Sequence, residues 1–422
     1  MQPTQEVRLS YQNTLTTYRG QSFFTSTFTT KNDQGHFVTC LDKHYERFVR
    51  SYHRLFERSH FPLTYDELKG YVDQLLEANY DSSGEPLHCI MMCVAGKADA
   101  YECDTGIYSS GFGGDLEELV MMINPFKKKP LWCYNTGLNV LTMPYQRPFA
   151  TAKPTNYLGG VQGQHILEAL NTAALLFRQQ GYSIKEALKK SITTYQGLNH
   201  HTQQLFRRFC HDVKQAQQPQ EIQALQHYLA ENSETQGLFV ALSEQSLAVL
   251  RDDYHTYFDR LWHEIIFVSD DKNPFLLEGS TFSLMGIDAD DTCVFVPLEG
   301  NTQKKDSLSD GYILESTTIA LLQHVAKINN LAYRVASIRY EDITQLKALY
   351  CVSTTRVSFE KNAYQLQPCL SLDNHDLTVA SSPAYERLMQ SLETFLNTYS
   401  YEKKLETPYL STSVFYEKNQ PK

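Results

Sequence analysis

Apolar residues at the start of the chain first follow the pattern of strands and then change to a helical period. Residues 21–30 are rich in Phe, Thr and Ser, a polar turn follows at 31–35, and a second strand-like run occupies 36–41. This pattern predicts a β-hairpin. From Asp42 onward, apolar side chains recur every three or four positions as far as Phe56, which predicts a helix.

One further helix and three strands are predicted before residue 150. Thr64 followed by Glu67 is typical of a capped helix start, and this helix is predicted to end near Asn79. Three apolar runs predict strands, at residues 88–95, 115–123 and 137–144. Residues 1–150 are therefore expected to form a small α/β domain with a meandering sheet.

The pattern becomes helical after residue 150 and later returns to strands. One helix is predicted at 163–180, where Gly181 ends it, and about three more within the block 183–262. Strands are then predicted at 264–268, 276–286, 293–297, 333–338 and 349–352, and helices at 316–330, 340–348 and 381–399. Residues 151–422 are expected to form the larger domain of a two-domain α+β or α/β fold.

Composition and charge exclude several classes of protein. The 422 residues are 42% hydrophobic and 20% charged, which is ordinary for a folded globular chain. The net charge of −10 gives no basic field for nucleic acid or an anionic membrane, and no apolar run suits a membrane span. Nine scattered cysteines, with no secretory signal in residues 1–6, favour a cytoplasmic location.

The candidate chemistry gathers around Lys153, which follows the predicted strand 137–144 and precedes a long helix. Burial or neighbouring positive charge would let such a lysine lose its proton and act as nucleophile, then as general acid or base. Arg47 lies on the helix after the hairpin, and Glu278 follows two leucines at a strand end. A lysine, an arginine, a carboxylate and hydroxyl clusters are the groups that a pyridoxal-phosphate site needs. The hydroxyl clusters are Ser316, Thr317 and Thr318, and Ser353 and Thr354.

In their order and local sequence these motifs resemble the class IV aminotransferases, which are pyridoxal-phosphate enzymes of fold type IV. The resemblance implies that Lys153 forms a Schiff base, that Glu278 contacts the ring nitrogen and that Tyr157 contacts the ring hydroxyl. It also implies that the cofactor phosphate is bound by Arg47, Thr317, Thr318, Ser353 and Thr354. A guanidinium fork and a helix N-terminus both suit a phosphate.

The chain departs from the family pattern at several positions. Lys153 and Glu278 are 278 − 153 = 125 residues apart, far more than is typical, so the block 183–262 is predicted to be an inserted helical subdomain. Ser283 stands where the family usually has an asparagine, and residues 87–92 lack the arginine that often binds substrate. The Lys-x-x-Asn spacing is closer to the D-amino-acid aminotransferase and aminodeoxychorismate lyase branches than to the branched-chain branch.

The resemblance implies an aminotransferase that uses pyridoxal 5′-phosphate, with an amino acid or related amine as donor and a keto acid as acceptor. It also implies a homodimer. Two alternatives stay open: a lyase of the aminodeoxychorismate lyase type, and a catalytically silent relative that binds a partner through the helical insertion. No metal is expected, because His200, His201 and His211 do not show the spacing of a zinc site.

Overall fold

A computed structural model gives the fold for most of the chain. The described residues are 22–56, 60–79, 87–95, 100–103, 106–109, 116–125, 130–147, 152–153, 158–215, 227, 229–231, 244–296, 313–354, 357–358, 364–377, 379, 382–403 and 405. Tyr157, the predicted contact of the ring hydroxyl, lies outside these residues. Nearly all of the tail predicted after the last helix also lies outside them.

An antiparallel four-stranded sheet with two helices forms the N-terminal part of the molecule. Its strands and their neighbours are β1 (Ser22–Asn32), β2 (Gly35–Val38), β3 (Leu87–Ala95), β4 (Ala100–Cys103), β5 (Gly106–Ser109) and β6 (Leu116–Pro125). The order in the sheet is β2-β1-β3-β6, while β4 and β5 pair with each other. The helices are α1 (Leu41–Phe56) and α2 (Tyr65–Ala78).

Alternation of side chains gives this first sheet one buried face and one half-buried face. Phe23 of β1 and Met91 of β3 are buried in one core with Phe48 of α1 and Leu68 of α2. Phe24 points to the opposite face, as successive side chains of a strand must, and it is only half-buried. The half-buried face is the one that borders the candidate site.

A large mixed sheet forms the second part of the molecule. Its strands are β7 (Leu138–Pro144), β8 (Trp262–Val268), β9 (Phe275–Gly279), β10 (Ser283–Ile287), β11 (Cys293–Phe295), β12 (Tyr333–Val335), β13 (Ile338–Arg339), β14 (Ala348–Val352), β15 (Val357–Ser358), β16 (Gln365–Leu372) and β17 (His375–Asp376). The main order is β12-β11-β10-β14-β16-β7-β8-β9-β13, and β15 and β17 pair with β16. β7 is parallel to β8 and β16, whereas β10 and β14 are antiparallel.

Seven helices accompany this sheet in the described residues. They are α3 (Trp132–Asn135), α4 (Leu158–Gln179), α5 (Ile184–Gly197), α6 (His200–Gln215), α7 (Glu244–Thr256), α8 (Thr317–Ile328) and α9 (Pro383–Asn397). Buried side chains of α4 to α7 share one core with β7 and β8, which we call the helical core. A second core joins α8 and α9 to β10, β11 and β14. None of the helices described is long and apolar enough to cross a membrane.

Most predicted elements are present, and the mixed fold predicted from their order is confirmed. The hairpin pairs Thr29 with Val38, and Thr64 and Glu67 form the predicted capping box of α2. α4 begins at Leu158, five residues before the predicted start. The helix predicted at 340–348 is a short 3-10 helix, Tyr340–Gln345.

Several strand assignments differ from the sequence prediction, among them those of β7 and β16. β7, predicted to belong to the first sheet, pairs with β8 and β16 of the second. The change of sheet therefore lies between Pro125 and Leu138, earlier than the predicted boundary near residue 150. β16 was not predicted, because Pro368 in its middle lacks the N–H that a central strand uses. Pairing with two neighbours outweighs this local preference.

The C-terminal segment fastens the first sheet to the second part of the molecule. The hydroxyl of Tyr399 accepts a hydrogen bond from Cys40 N–H at 2.9 Å, and Asn32 Nδ2 donates to the Leu396 carbonyl at 2.9 Å. Cys40 has a φ of 55°, in the left-handed region that non-glycine residues rarely adopt. This contact holds the chain at the point where α1 begins.

Candidate active site

A cavity of about 320 Å³ lies between the two sheets, a size within the roughly 300–1,000 Å³ of small-molecule sites. Phe24 and Ser26 of β1 line it from the first sheet, and the loop after β9 and the start of α8 line it from the second. The predicted site residues on its wall are Lys153, Arg47, Glu278, Thr317, Thr318, Ser353 and Thr354. The fold therefore brings together all seven predicted residues that it describes.

Lys153 is held in the cavity by its backbone. Its N–H donates to Ser51 Oγ of α1 at 3.3 Å, and its carbonyl accepts from Phe24 N–H of β1 at 3.0 Å. The side chain is half-buried, and Nζ lies 5.0 Å from the centre of the Phe24 ring. Loss of hydration on burial, reinforced by the charges of Arg47 and Arg147, lowers the pKa of Lys153 well below its usual value. The site therefore favours the neutral form of this amine.

Glu278 ends β9 as a buried carboxylate with two partners. Its Oε1 lies 3.2 Å from Arg147 Nε, and its Oε2 accepts from Leu314 N–H at 3.3 Å. Burial raises the pKa of Glu278, against the opposing effects of Arg147, the Leu314 amide and Lys153. A Cβ on the next residue, Gly279, would come within 2.1 Å of the Phe282 ring, so the turn after Glu278 requires glycine.

Arg47 connects the first sheet to the segment before α8. It is 4% exposed, and one guanidinium nitrogen donates to the Glu315 carbonyl at 3.0 Å. The other guanidinium nitrogen donates to Thr25 Oγ1. Arg50, one turn of α1 beyond, forms an ion pair with the Glu315 side chain. α1 therefore contributes Arg47 to the cavity wall, and Arg50 to the ion pair that stabilises the segment before α8.

Hydroxyl groups and a helix N-terminus complete the polar wall. Ser316 caps α8 by accepting from Ile319 N–H at 3.2 Å, which places Thr317 and Thr318 in the first helical turn. The N-terminus of a helix presents backbone N–H groups and a partial positive charge. Thr354, after β14, donates to the Ser26 carbonyl at 3.2 Å and so joins the two sides of the cavity. This combination of donors is suited to a phosphate or another anion.

The sequence analysis missed two residues that the fold places beside the predicted ones. Arg147 is 9% exposed and pairs with Glu278, and it also donates to the Ser280 carbonyl at 3.2 Å. An arginine directly after an apolar strand and six residues before Lys153 was an available signal. Phe24 has no such signal, because a strand phenylalanine is most often part of the core.

Comparison with known proteins identifies a family that matches part of the chain. Residues 25–195 match the sequence profile of the family described as amino-transferase class IV. This region contains Arg47, Arg147 and Lys153. The resemblance predicted from the motifs is thereby confirmed for this part of the chain, which is similar to the class IV aminotransferases.

Solved structures share the fold over almost the whole chain. The T.th. branched-chain amino acid aminotransferase complexed with N-(5′-phosphopyridoxyl)-L-glutamate has a TM-score of 0.53 and 12% identity, over 94% of this chain and 91% of that one. A hypothetical aminotransferase from Mycobacterium tuberculosis, with α-ketoglutarate and PMP bound, has a TM-score of 0.51 and 15% identity, over 94% and 95% of the two chains. These likenesses confirm the fold of type IV. No curated protein matches in a sequence comparison.

Proposed function

We propose that this protein is a pyridoxal-5′-phosphate-dependent aminotransferase and that Lys153 attaches the cofactor. The observation that carries the proposal is the cavity in which a lysine of lowered pKa faces Arg47, the N-terminus of α8 and the buried Glu278. The family match supports it. The ligands named for the two similar structures, a phosphopyridoxyl-glutamate and PMP, also support it.

The residues of the cavity fit this cofactor chemically. Its phosphate needs cations, hydroxyl donors and backbone amides, which Arg47, Thr317, Thr318, Ser353 and Thr354 supply. Its ring nitrogen needs an acidic partner, and Glu278 is the buried carboxylate on the wall. Its aldehyde needs a neutral amine, and the lowered pKa of Lys153 favours that form.

Bound pyridoxal phosphate supplies an electron-withdrawing ring that stabilises negative charge at the α-carbon of an amino acid. Lys153 Nζ, as a neutral amine, has the lone pair needed to bond the aldehyde carbon. The half-buried Nζ would also be available to a substrate bound in the cavity. There it can accept the α-proton and return it, as a general base and then a general acid.

Glu278 and Arg147 together set the charge at the ring nitrogen. Burial raises the pKa of Glu278 and so favours its protonated form, while pairing with Arg147 favours the anion. With the cofactor bound, an anionic Glu278 would hold a proton at the ring nitrogen. Arg47 and the hydroxyls act on a different part of the cofactor, so they contribute to affinity more than to reactivity.

Borohydride trapping tests the lysine directly. The purified protein is mixed with pyridoxal phosphate, free cofactor is removed, and the remaining complex is reduced and digested for mass mapping. We expect visible absorption before reduction and a pyridoxyl adduct on Lys153 afterwards. An adduct on a different lysine would overturn the site assignment, and no uptake of cofactor would overturn the proposed function.

Product analysis separates transfer from cleavage. The loaded protein is given a panel of amino acids and amines, with and without keto acids. An aminotransferase yields a new amino acid and a new keto acid in equal amounts, and only when both substrates are present. Release of pyruvate or ammonia from a single substrate would instead identify a lyase.

The homodimer and the two-domain division with an insertion at 183–262 also belong to this proposal. They rest on the family resemblance. Light scattering at micromolar concentration tests the first, and a monomer would contradict it. The helices within 183–262 share the helical core with α4, so a deletion must also replace the apolar face of α4 that it uncovers.

A further inference from the structure

His44 lies beneath the cavity and joins three elements of the fold. It is 1% exposed on α1, one turn before Arg47. Its Nδ1 lies 2.6 Å from Thr25 Oγ1 of β1, and its Nε2 lies 3.2 Å from Thr317 Oγ1 at the start of α8. Both ring nitrogens are therefore engaged, one by each part of the molecule.

The guanidinium of Arg47 determines which nitrogen of His44 carries hydrogen. A guanidinium only donates hydrogen bonds. The same guanidinium nitrogen that donates to Thr25 Oγ1 also lies 3.3 Å from His44 Nδ1. This second contact requires a lone pair on Nδ1. Thr25, whose oxygen accepts from Arg47, can then donate its own hydrogen to Nδ1.

The imidazole is consequently a donor at its other nitrogen. Burial, followed by the charges of Arg47 and Lys153, lowers the pKa of His44 well below its usual value, so the ring is neutral. A neutral imidazole with a lone pair on Nδ1 has its hydrogen on Nε2. Nε2–H therefore donates to Thr317 Oγ1, and that oxygen is the acceptor.

The Thr317 hydroxyl is left with its own hydrogen to donate. Thr317 is 5% exposed, and it lines the cavity at the first position of α8. We propose that His44 is a positioning residue that sets the direction of this hydrogen-bond chain, so that Thr317 donates its hydroxyl hydrogen to a phosphate in the cavity. The identity of the phosphate ester as pyridoxal phosphate rests on the proposed function. The direction of the hydrogen bonds does not depend on it.

The opposite tautomer would have the opposite effect. With hydrogen on Nδ1, the ring would meet the guanidinium of Arg47 with another donor. Nε2 would then accept from Thr317, whose remaining lone pairs would face the anion. Because an anion needs donors around it, only the Nε2–H tautomer is consistent with a phosphate at this wall.

The first test measures the tautomer in the unaltered, cofactor-free protein. Nitrogen NMR of ¹⁵N-histidine-labelled protein distinguishes a protonated from an unprotonated ring nitrogen, and His44→Gln identifies the signal by its loss. We expect an unprotonated Nδ1 and a protonated Nε2 at neutral pH. The reverse tautomer, or a doubly protonated ring, would overturn the proposal whether or not the protein is an enzyme.

The second test compares ligands with and without phosphate. Dissociation constants are measured for pyridoxal phosphate, inorganic phosphate and pyridoxal in His44→Leu, His44→Gln, Thr317→Val and the double variant. His324→Leu, which removes a buried imidazole from the same helix as Thr317, is the control. Thermal unfolding of each cofactor-free variant identifies any that is not folded.

We expect His44→Leu and Thr317→Val each to weaken pyridoxal phosphate and inorganic phosphate about tenfold, the typical effect of a lost hydrogen bond to a charged group. The double variant should lose little more than Thr317→Val, since His44 acts on the phosphate only through the Thr317 hydroxyl. Gln retains an N–H donor and should restore part of the affinity, while pyridoxal should bind equally to all. The role of His44 would be overturned if the variants lost as much affinity for pyridoxal as for pyridoxal phosphate. It would also be overturned if His44→Leu lost no affinity for phosphate. Failure of the unaltered protein to take up pyridoxal phosphate while it binds inorganic phosphate would overturn the proposed function alone.

Discussion

The cavity and the helical core are both buried, but they use polar groups in opposite ways. In the helical core, Asn171 exchanges two hydrogen bonds of 2.8 Å with the backbone of Trp262, and Thr172 donates to the Glu168 carbonyl at 2.8 Å. These groups complete the packing. In the cavity, burial displaces the pKa values of Lys153 and Glu278 in opposite directions.

This difference separates a region that stabilises the fold from one that is suited to chemistry. Burying a charged group is unfavourable unless other groups compensate, so a folded chain gains nothing from a charged cavity as such. Perturbed pKa values that cluster at one cavity are typical of functional sites. Substitutions in the two regions should consequently alter different measured quantities.

The largest effect is expected from Lys153→Ala. Removal of Nζ eliminates the nucleophile and the proton carrier, so transamination should fall by at least about 10²–10⁴-fold. The free energy of unfolding of the cofactor-free protein should change little or increase, because the variant no longer buries an amine. Spectra, initial rates and denaturant titration measure these quantities. Lys185→Ala, at a 65% exposed lysine, is the matched control and should keep full activity.

Phe206→Ala should have its effect on stability instead. Phe206 is fully buried on α6 in the helical core, and truncation of such a ring costs about 3–5 kcal/mol. The rate per folded molecule should remain that of the unaltered protein. Phe258→Ala, at a ring that is 53% exposed, is the control. A loss of rate in folded Phe206→Ala would show that the helical core also shapes the site.

Arg147→Met should lower both turnover and the free energy of unfolding, because it leaves the Glu278 carboxylate buried without its cation. Loss of one partner of a buried pair costs about 3 kcal/mol at neutral pH. The pKa of Glu278 then rises further, so the folded state retains a proton that the unfolded state releases. Relative to the unaltered protein, the loss should therefore be small in acid and should grow as pH rises from the folded-state pKa of Glu278 in that protein to its higher value in the variant. Above that value the loss should stay constant.

Urea titration across this pH range measures the effect of Arg147→Met. Glu278→Gln combined with Arg147→Met should recover part of the stability, because no buried charge remains. Turnover should stay low in the double variant, since the ring nitrogen lacks its acidic partner. A pH-independent loss in Arg147→Met would show that packing, not the charge of Glu278, is the cause.

The smallest effect is expected at the surface pair of Lys185 and Asp376. Their charged atoms lie 2.8 Å apart, but the side chains are 65% and 61% exposed. Solvent screens such a pair, so Lys185→Ala should lower the free energy of unfolding by less than about 1 kcal/mol. Raising the salt concentration should reduce even this difference. A larger loss would indicate that this contact secures α5 to the strands around β17.

Local patterns in the sequence determined many of the elements and the identity of the principal site residues. Apolar periodicity and the Thr64–Glu67 capping box depend on neighbours within a few residues, so they can be read from the chain itself. Lys153, Arg47 and Glu278 could be singled out because charged residues beside apolar runs are unusual. Their gathering in one site was an expectation from the family resemblance, and the fold places all three on the wall of one cavity.

Only the tertiary structure decided which groups meet. Arg147 reaches Glu278 across 131 positions, counted as 278 − 147, and His44 reaches Thr317 across 273. No local rule specifies such pairs, because they depend on how the two sheets pack. For the same reason β16 forms despite Pro368: its place between β14 and β7 supplies pairing that residue preferences cannot reveal. The direction of the hydrogen bonds that lead from Arg47 to Thr317 likewise follows from contacts between donors and acceptors that only the tertiary structure creates.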